Sequence, residues 1–151
     1  MMKRYISYIK NISVHKWHVF IECCSLGIPV LGLLHDWSKF LPSEMIKYAH
    51  TFYNPDGTRK KVDDSLYMSL GTALTHHFRC NKHHWQYYLL VQGVDSITAL
   101  DIPLKYRKEM LADWIGAGKT YGGSVSDWYR KNKDKIIVHD DVRVWLGERI
   151  G

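Results

Sequence analysis

The chain lacks any stretch near the roughly 18 consecutive apolar residues that a membrane-spanning helix needs, which argues against a membrane partner. No secretory leader is expected either, since Met1-Met2-Lys3-Arg4 runs into Tyr5, Ser7, Lys10 and Asn11 rather than an apolar block. No CxxC pair occurs among Cys23, Cys24 and Cys80, and adjacent cysteines rarely bridge each other, so a reduced compartment fits. The expectation is a soluble, cytoplasmic protein. There is no internal repeat, no low-complexity tract, and no alternating apolar and polar run bounded by turn residues that argues for a strand. With 151 residues, 46% of them hydrophobic, one domain spanning 1–151 can bury a core.

What the chain does have is helical periodicity, so an all-α, single-domain bundle is expected. The first helix should run from about Lys3 to Leu26, a second from Pro29 to Lys39 and a third from Ser43 to Phe52, with Pro29 and Pro42 suited to helix starts. Asn54-Pro-Asp-Gly57 and the following Thr58 to Lys61 read as an exposed loop. A longer helix begins at Asp63 and carries Leu66, Leu70, Ala73 and Leu74; Asn81 is placed to cap a successor starting near Lys82. Another helical block follows Asp101-Ile-Pro103 and stops by Gly122-Gly123, and Asp127 to Lys133 and Asp140 to Arg149 form shorter helices that close the bundle.

The formal charge of +6 favours anionic partners, whether nucleotides, nucleic acid or a phosphorylated metabolite. Arg59-Lys60-Lys61 and the basic run from Arg130 to Lys135 read as solvated faces. Histidine is the unusual residue: there are nine, and seven fall in three clusters, His15 with His18, His35, and His76, His77, His83 and His84. Imidazoles and carboxylates converging from several helices to about 2.0–2.2 Å from one ion make a metal site. Any one of these histidines, taken singly, reads as well as an ordinary core or surface residue.

On the first helix Val14, Trp17, Phe20, Ile21 and Cys24 define an apolar arc, with His18 at its edge and His15 roughly 60° further out. His18 is therefore the expected ligand and His15 a surface or supporting residue. The sharpest signal is His35-Asp36-Trp37-Ser38-Lys39, which ends the apolar run from Ile28 to Leu34. A carboxylate against such a run calls for a cation. Lys39 shares the face of His35 and Asp36, free either to bind a phosphate oxygen or to pair with Asp36 or Glu44.

Two histidine pairs repeat seven residues apart in the segment from Thr75 to Trp85. On one continuous helix His77 and His84 would share the arc of Leu66, Leu70, Ala73 and Tyr88, which favours them over His76 and His83, although about 10 Å of helix would separate them. A break at Asn81, or two metals, would relieve that separation. Asp113 sits in a helix from Leu104 to Gly118 whose faces both look buried, and needs a positive partner there.

The order His18, His35-Asp36 and Asp113, all on helices, resembles the HD-domain superfamily of metal-dependent phosphohydrolases. Lys39 matches the HDxxK form of the HD-GYP phosphodiesterases, although the chain lacks the GYP tripeptide. The wording His35-Asp-Trp-Ser-Lys-Phe40, His76-His-x-x-x-Asn-x-His-His-Trp85 and Glu109-Met-Leu-Ala-Asp-Trp114 is similar to a family of small phage and bacterial HD-like proteins with no established activity, over about residues 15 to 120. The superfamily resemblance implies one or two divalent ions (Mn, Fe, Co, Ni, Zn or Mg) and hydrolysis of a phosphate ester such as a nucleotide. It assigns His18, His35, Asp36 and Asp113 to the primary ion and places His76, His77, His83 and His84 where di-metal members carry further ligands; of these His77 and His84, favoured by the helical arc, are expected to hold a second ion or contact substrate. Asp36 and Lys39 are the catalytic candidates, and Lys39, Arg79, Lys82, His76 and His83 the candidate substrate contacts, with a solvated surface the plainer reading of Arg79 and Lys82. Two rivals stand beside hydrolysis: a di-iron oxygenase built on the same ligands, and a non-catalytic metal-containing protein that binds nucleic acid or another protein.

Overall fold

The computed structural model describes residues 2–93 and 96–151. Eight α-helices are present among them: α1 (Met2–Ser25), α2 (Pro29–Leu34), α3 (Pro42–Phe52), α4 (Asp64–Met68), α5 (Thr72–Cys80), α6 (Leu104–Tyr121), α7 (Val125–Asn132) and α8 (Asp140–Ile150). The chain is thus predominantly α-helical, as its periodicity implies. None of these helices is long and apolar enough to cross a membrane.

α1 and α6 form the spine. A Cβ on Gly116 would lie 2.6 Å from Val19 Cγ2 and 3.0 Å from the Val19 backbone nitrogen, so only glycine permits this approach. One apolar cluster (Tyr8, Ile12, Tyr48, Ala49, Tyr53, Leu70 and Ala73) joins α1, α3 and α5. Another, around Met110, Leu111, Val142, Trp145 and Leu146, joins α6 to α8. Among the described residues the spine itself buries a smaller apolar cluster of Val19, Cys23 and Ala112, with Leu26 and Ile28 packed against it, and the buried polar side chains His15 and Glu109 lie on the same two helices.

Several expected elements are interrupted, each for a local reason. The helix from Pro29 does not reach Lys39: Asp36 turns to φ 52°, the left-handed region, and a separate 3-10 turn covers Trp37–Phe40. The helix begun at Asp63 is split at Gly71, φ 44°. Asn81 ends α5 instead of capping a new helix, its side-chain amide donating to the His77 carbonyl at 2.8 Å.

A short hairpin stands where no strand is expected. β1 (Leu89–Gln92) pairs antiparallel with β2 (Ser96–Ala99), Leu89 opposite Ala99. It is rich in residues that suit a pleated surface, but both strands are largely exposed, so no alternation marks them. The Asn54–Lys61 loop is exposed as expected. A bridge between Tyr53 and Arg59 closes it, and Arg59 is thereby set over the ring of Tyr121, 4.6 Å from its centroid.

Candidate metal centre

α1 buries the stripe Tyr8, Ile12, His15, Val19 and Cys23, while Val14, Trp17 and Ile21 face outward. The expected arc is therefore the exposed one. His15 points inward at 4% exposure, its Nε2 3.0 Å from Asp113 Oδ1. The structure places His18 outside the cluster, its Nδ1 3.0 Å from the Thr120 hydroxyl.

The left-handed turn at Asp36 sends the two adjacent side chains of the His35-Asp36 pair into the same buried space, both at 1% exposure. A non-glycine residue held in this backbone region costs of order 1–3 kcal/mol, which the surrounding contacts must offset. Asp36 Oδ1 lies 3.3 Å from His77 Nε2 and 3.4 Å from His83 Nε2. Its Oδ2 lies 3.4 Å from His35 Nε2 and accepts from Lys39 Nζ at 2.6 Å. Lys39 thus takes the salt-bridge role while still lining the cleft described below.

Because α5 stops at Asn81, the chain doubles back and lays His84 against His77, Nε2 to Nε2 at 2.8 Å. The axial separation expected for a continuous helix disappears. His83 enters the site with them, at 2% exposure, instead of facing outward as a substrate contact. His76 is half exposed and bonds Glu44 Oε1 through Nδ1 at 2.9 Å; Arg79 and Lys82 are exposed, Lys82 over the rings of Tyr87 and Tyr106. The structure does not bring these three into the cluster.

Two buried carboxylates that the sequence reading did not assign to the metal site, Glu109 and the Glu44 offered there only as a partner for Lys39, stand behind the imidazoles. Glu109 Oε1 accepts from His35 Nδ1 at 3.2 Å and lies 3.3 Å from His83 Nδ1. Glu44 Oε2 accepts from His77 Nδ1 at 3.0 Å. Glu109 could have been found by its spacing, since it precedes Asp113 by one helical turn on α6.

Charge is concentrated here. Burial disfavours imidazolium at His35, but the Asp36 charge and the adjacent Asp113 and Glu109 carboxylates outweigh it, pushing the pKa up to about 10. Burial opposes ionisation of Asp36 and Asp113 as well. The charges of His35, Lys39 and His77 nevertheless hold Asp36 well below the carboxylate range, and the His15 and His35 imidazoles beside it do the same for Asp113. His84 goes the other way: burial first, then its neighbours His83 and His77, drive it well below an ordinary imidazole.

Among the described residues there are three sets whose ligand atoms lie, within each set, no more than 4.8 Å apart: Asp36, His77, His83 and His84; His15, His35 and Asp113; and His35, His83 and Glu109. A test of whether a cation suits the site comes from unsatisfied atoms. Among the described residues, His35 Nε2, His83 Nε2 and Asp36 Oδ1 are fully buried without a hydrogen-bond partner. Leaving such atoms unpaired is costly, and cations held by these sets would satisfy all three. The donor set, imidazole and carboxylate, fits a divalent ion.

A cleft of about 320 Å³ leads to this cluster, with His77, His84 and Lys39 on its floor and Tyr8, Tyr48, Tyr53, Tyr67, Phe78 and Tyr121 among its walls. Arg59 completes the lining, and no carboxylate takes part in it. A cleft of similar size between α7 and α8, lined by Arg130, Asp134 and Arg143, contains none of the ligand sets.

A family model described as "Family of unknown function (DUF5662)" matches residues 4–151. No curated protein and no solved structure matches the chain.

Proposed function

The chain belongs to that family, and from the chemistry of its site we propose that it is a metal-dependent hydrolase of a phosphate ester, with a nucleotide as substrate. One observation carries this reading: the buried Asp36 carboxylate faces both groups of imidazoles, one oxygen toward His77 and His83 and the other toward His35 and Lys39, behind the Lys39 and His77 side chains that line the cleft. His15, His35 and Asp113 would hold one ion, and Asp36, His77, His83 and His84 a second. Bound there, a divalent ion supplies Lewis acidity toward water and a phosphoryl oxygen.

The protein's own groups do the rest. Lys39 places a fixed positive charge beside Asp36, where negative charge grows on the phosphoryl oxygens. The tyrosines offer flat apolar faces for a base, and Arg59 adds a cation to the lining. The absence of carboxylates from that lining leaves an anionic substrate unopposed. The HD-type resemblance of His35-Asp36 and Asp113 agrees with this chemistry.

The test is metal analysis of protein purified without added metal, then a screen of mono-, tri- and cyclic nucleotides for released phosphate or nucleoside. Loaded wild-type protein should hydrolyse at least one class and Asp36→Ala none. Loaded protein that releases nothing from any of them would rule the hydrolase out. A second reading, di-iron oxygenase, is favoured by five imidazoles against two carboxylates in the two ligand sets, because imidazole suits iron. Two irons per chain with oxygen uptake and no phosphate release would select it.

A further inference from the structure

Glu109 and Asp113 lie one turn apart on a single face of α6. Between them the same two imidazoles are bracketed. His35 has Nδ1 3.2 Å from Glu109 Oε1 and Nε2 3.5 Å from Asp113 Oδ1. His83 has Nδ1 3.3 Å from the same Glu109 oxygen and Nε2 3.9 Å from Asp113 Oδ2. The two rings are 4.3 Å apart, centroid to centroid.

One carboxylate oxygen therefore serves two ring N–H groups. An oxygen with two lone pairs can accept from both. The opposite nitrogens, Nε2 of His35 and His83, are the buried atoms left without partners, and both face Asp36. A neutral imidazole that donates through Nδ1 has its lone pair on Nε2, which is the state a metal ligand requires and which a bound ion would impose by displacing the Nε2 proton. Glu44 holds His77 in the same way, Oε2 on Nδ1 at 3.0 Å, with Nε2 turned to Asp36 Oδ1 at 3.3 Å. The pattern recurs with a second carboxylate on another helix.

We propose that Glu109 is a positioning residue: its carboxylate fixes the tautomer and orientation of His35 and His83 together, so that one side chain on α6 aims an imidazole at each of the two ligand sets. It is not itself a ligand, although Glu109, His35 and His83 also form one of the three sets with ligand-like spacing. This rests on the metal-holding part of the reading above and not on the reaction. Its basis is the assignment of nitrogens. Were Glu109 a ligand, His35 and His83 would bind through Nδ1, and their Nε2 atoms would stay buried and unsatisfied beside two carboxylates.

The experiment compares Glu109→Gln with Glu109→Ala in the full chain, titrated with Zn2+ against a competing chelator. Glutamine keeps an acceptor oxygen for the two N–H groups but is a poor ligand, whereas alanine removes both capacities. Glu109→Gln should stay close to wild type in affinity and ion count, while Glu109→Ala loses roughly 10–100-fold in affinity. Long-range 1H–15N spectra of the zinc-loaded wild type should show His35 and His83 carrying the proton on Nδ1. Equal loss in the two variants, or protons on Nε2 of those rings, would overturn the proposal while leaving metal binding intact. Should Glu109→Ala not fold, the glutamine variant and the wild-type spectra still decide. A wild-type chain that binds no Zn2+ would overturn both this and the metal centre.

Discussion

His15 Nε2 lies 3.0 Å from Asp113 Oδ1 and joins the middle of α1 to the middle of α6 inside the site. His18, less than one turn further along α1, does a different job. The Thr120 hydroxyl donates to the Gly116 carbonyl at 2.7 Å, so it must accept from His18 Nδ1. That chain of bonds ties α1 to the C-terminal end of α6, outside the ligand sets.

The two histidines should therefore separate on substitution. His15→Ala is expected to lose one ion or to weaken it at least 10-fold. His18→Ala should keep the metal content and lose only about 1 kcal/mol of stability, the value of a typical hydrogen bond. Ion counts per chain and thermal melts check this, and metal loss in His18→Ala alone would contradict the placement of His15.

Why the sequence favours the wrong histidine is instructive. Hydrophobic periodicity locates the core face of a helix only when that face packs on apolar neighbours. On α1 the buried stripe meets tyrosines, a thin apolar contact and a polar site, so it carries Tyr8, His15 and Cys23, whereas the more apolar Trp17 and Ile21 stay outside. By contrast His35-Asp36 is legible because an apolar run ends abruptly in charge. The helix starts at Pro29 and Pro42 and the stop at Gly122 are legible too, since they follow from local backbone chemistry. His83 is hidden because its position depends on a turn after Asn81, whose amide bonds Ser38, 43 residues earlier in the chain. Its meeting with His35 is a tertiary fact.

In the metal-free protein, stability should peak near neutral pH and fall on both sides. His35 and His83 have raised pKa values when folded, so their contribution is complete below the unfolded value, about 6.5, and His35 loses its share as pH climbs toward about 10. His84 is depressed, so its contribution is present above the unfolded value and is lost as pH falls below it. Asp36 and Asp113, also depressed, add a further loss below about pH 4. Chelator-treated protein melted from pH 4 to 10 should show the dome, and His35→Asn should flatten its alkaline limb. A monotonic profile would show that the imidazoles do not carry these charges.

Two glycines should respond in opposite directions to an added methyl group or more. At Gly116 the space is filled by Val19, so Gly116→Val forces α1 and α6 apart and should cost about 1–3 kcal/mol or more. At Gly147, inside α8, a new Cβ meets nothing within 4 Å, so Gly147→Ala should stabilise by about 0.4–1 kcal/mol. Urea titrations of both variants test the packing of the spine directly, and equal effects would mean that the α1–α6 approach is looser than described.

Lys39 and Arg59 line one cleft and should fail in different ways. Lys39 sits at its floor, ion-paired to Asp36 at 2.6 Å and only 17% exposed, where phosphoryl charge would develop. Arg59 is exposed, held by the Tyr53 bridge and stacked on Tyr121, well placed to meet an anion before and during reaction alike. An interaction confined to the transition state lowers kcat when removed, and one made equally in ground and transition states raises KM. Lys39→Gln should thus reduce kcat by about 10²–10³ with little change in KM, comparable to losing a preorganised donor to a developing oxyanion. Arg59→Ala should raise KM roughly 10-fold, about 1.4 kcal/mol, with kcat nearly intact. Steady-state kinetics on whichever nucleotide the screen identifies separate the two. If Arg59→Ala lowers kcat as deeply as Lys39→Gln does, the arginine reaches the reacting phosphate and the cleft holds its substrate in the reverse orientation.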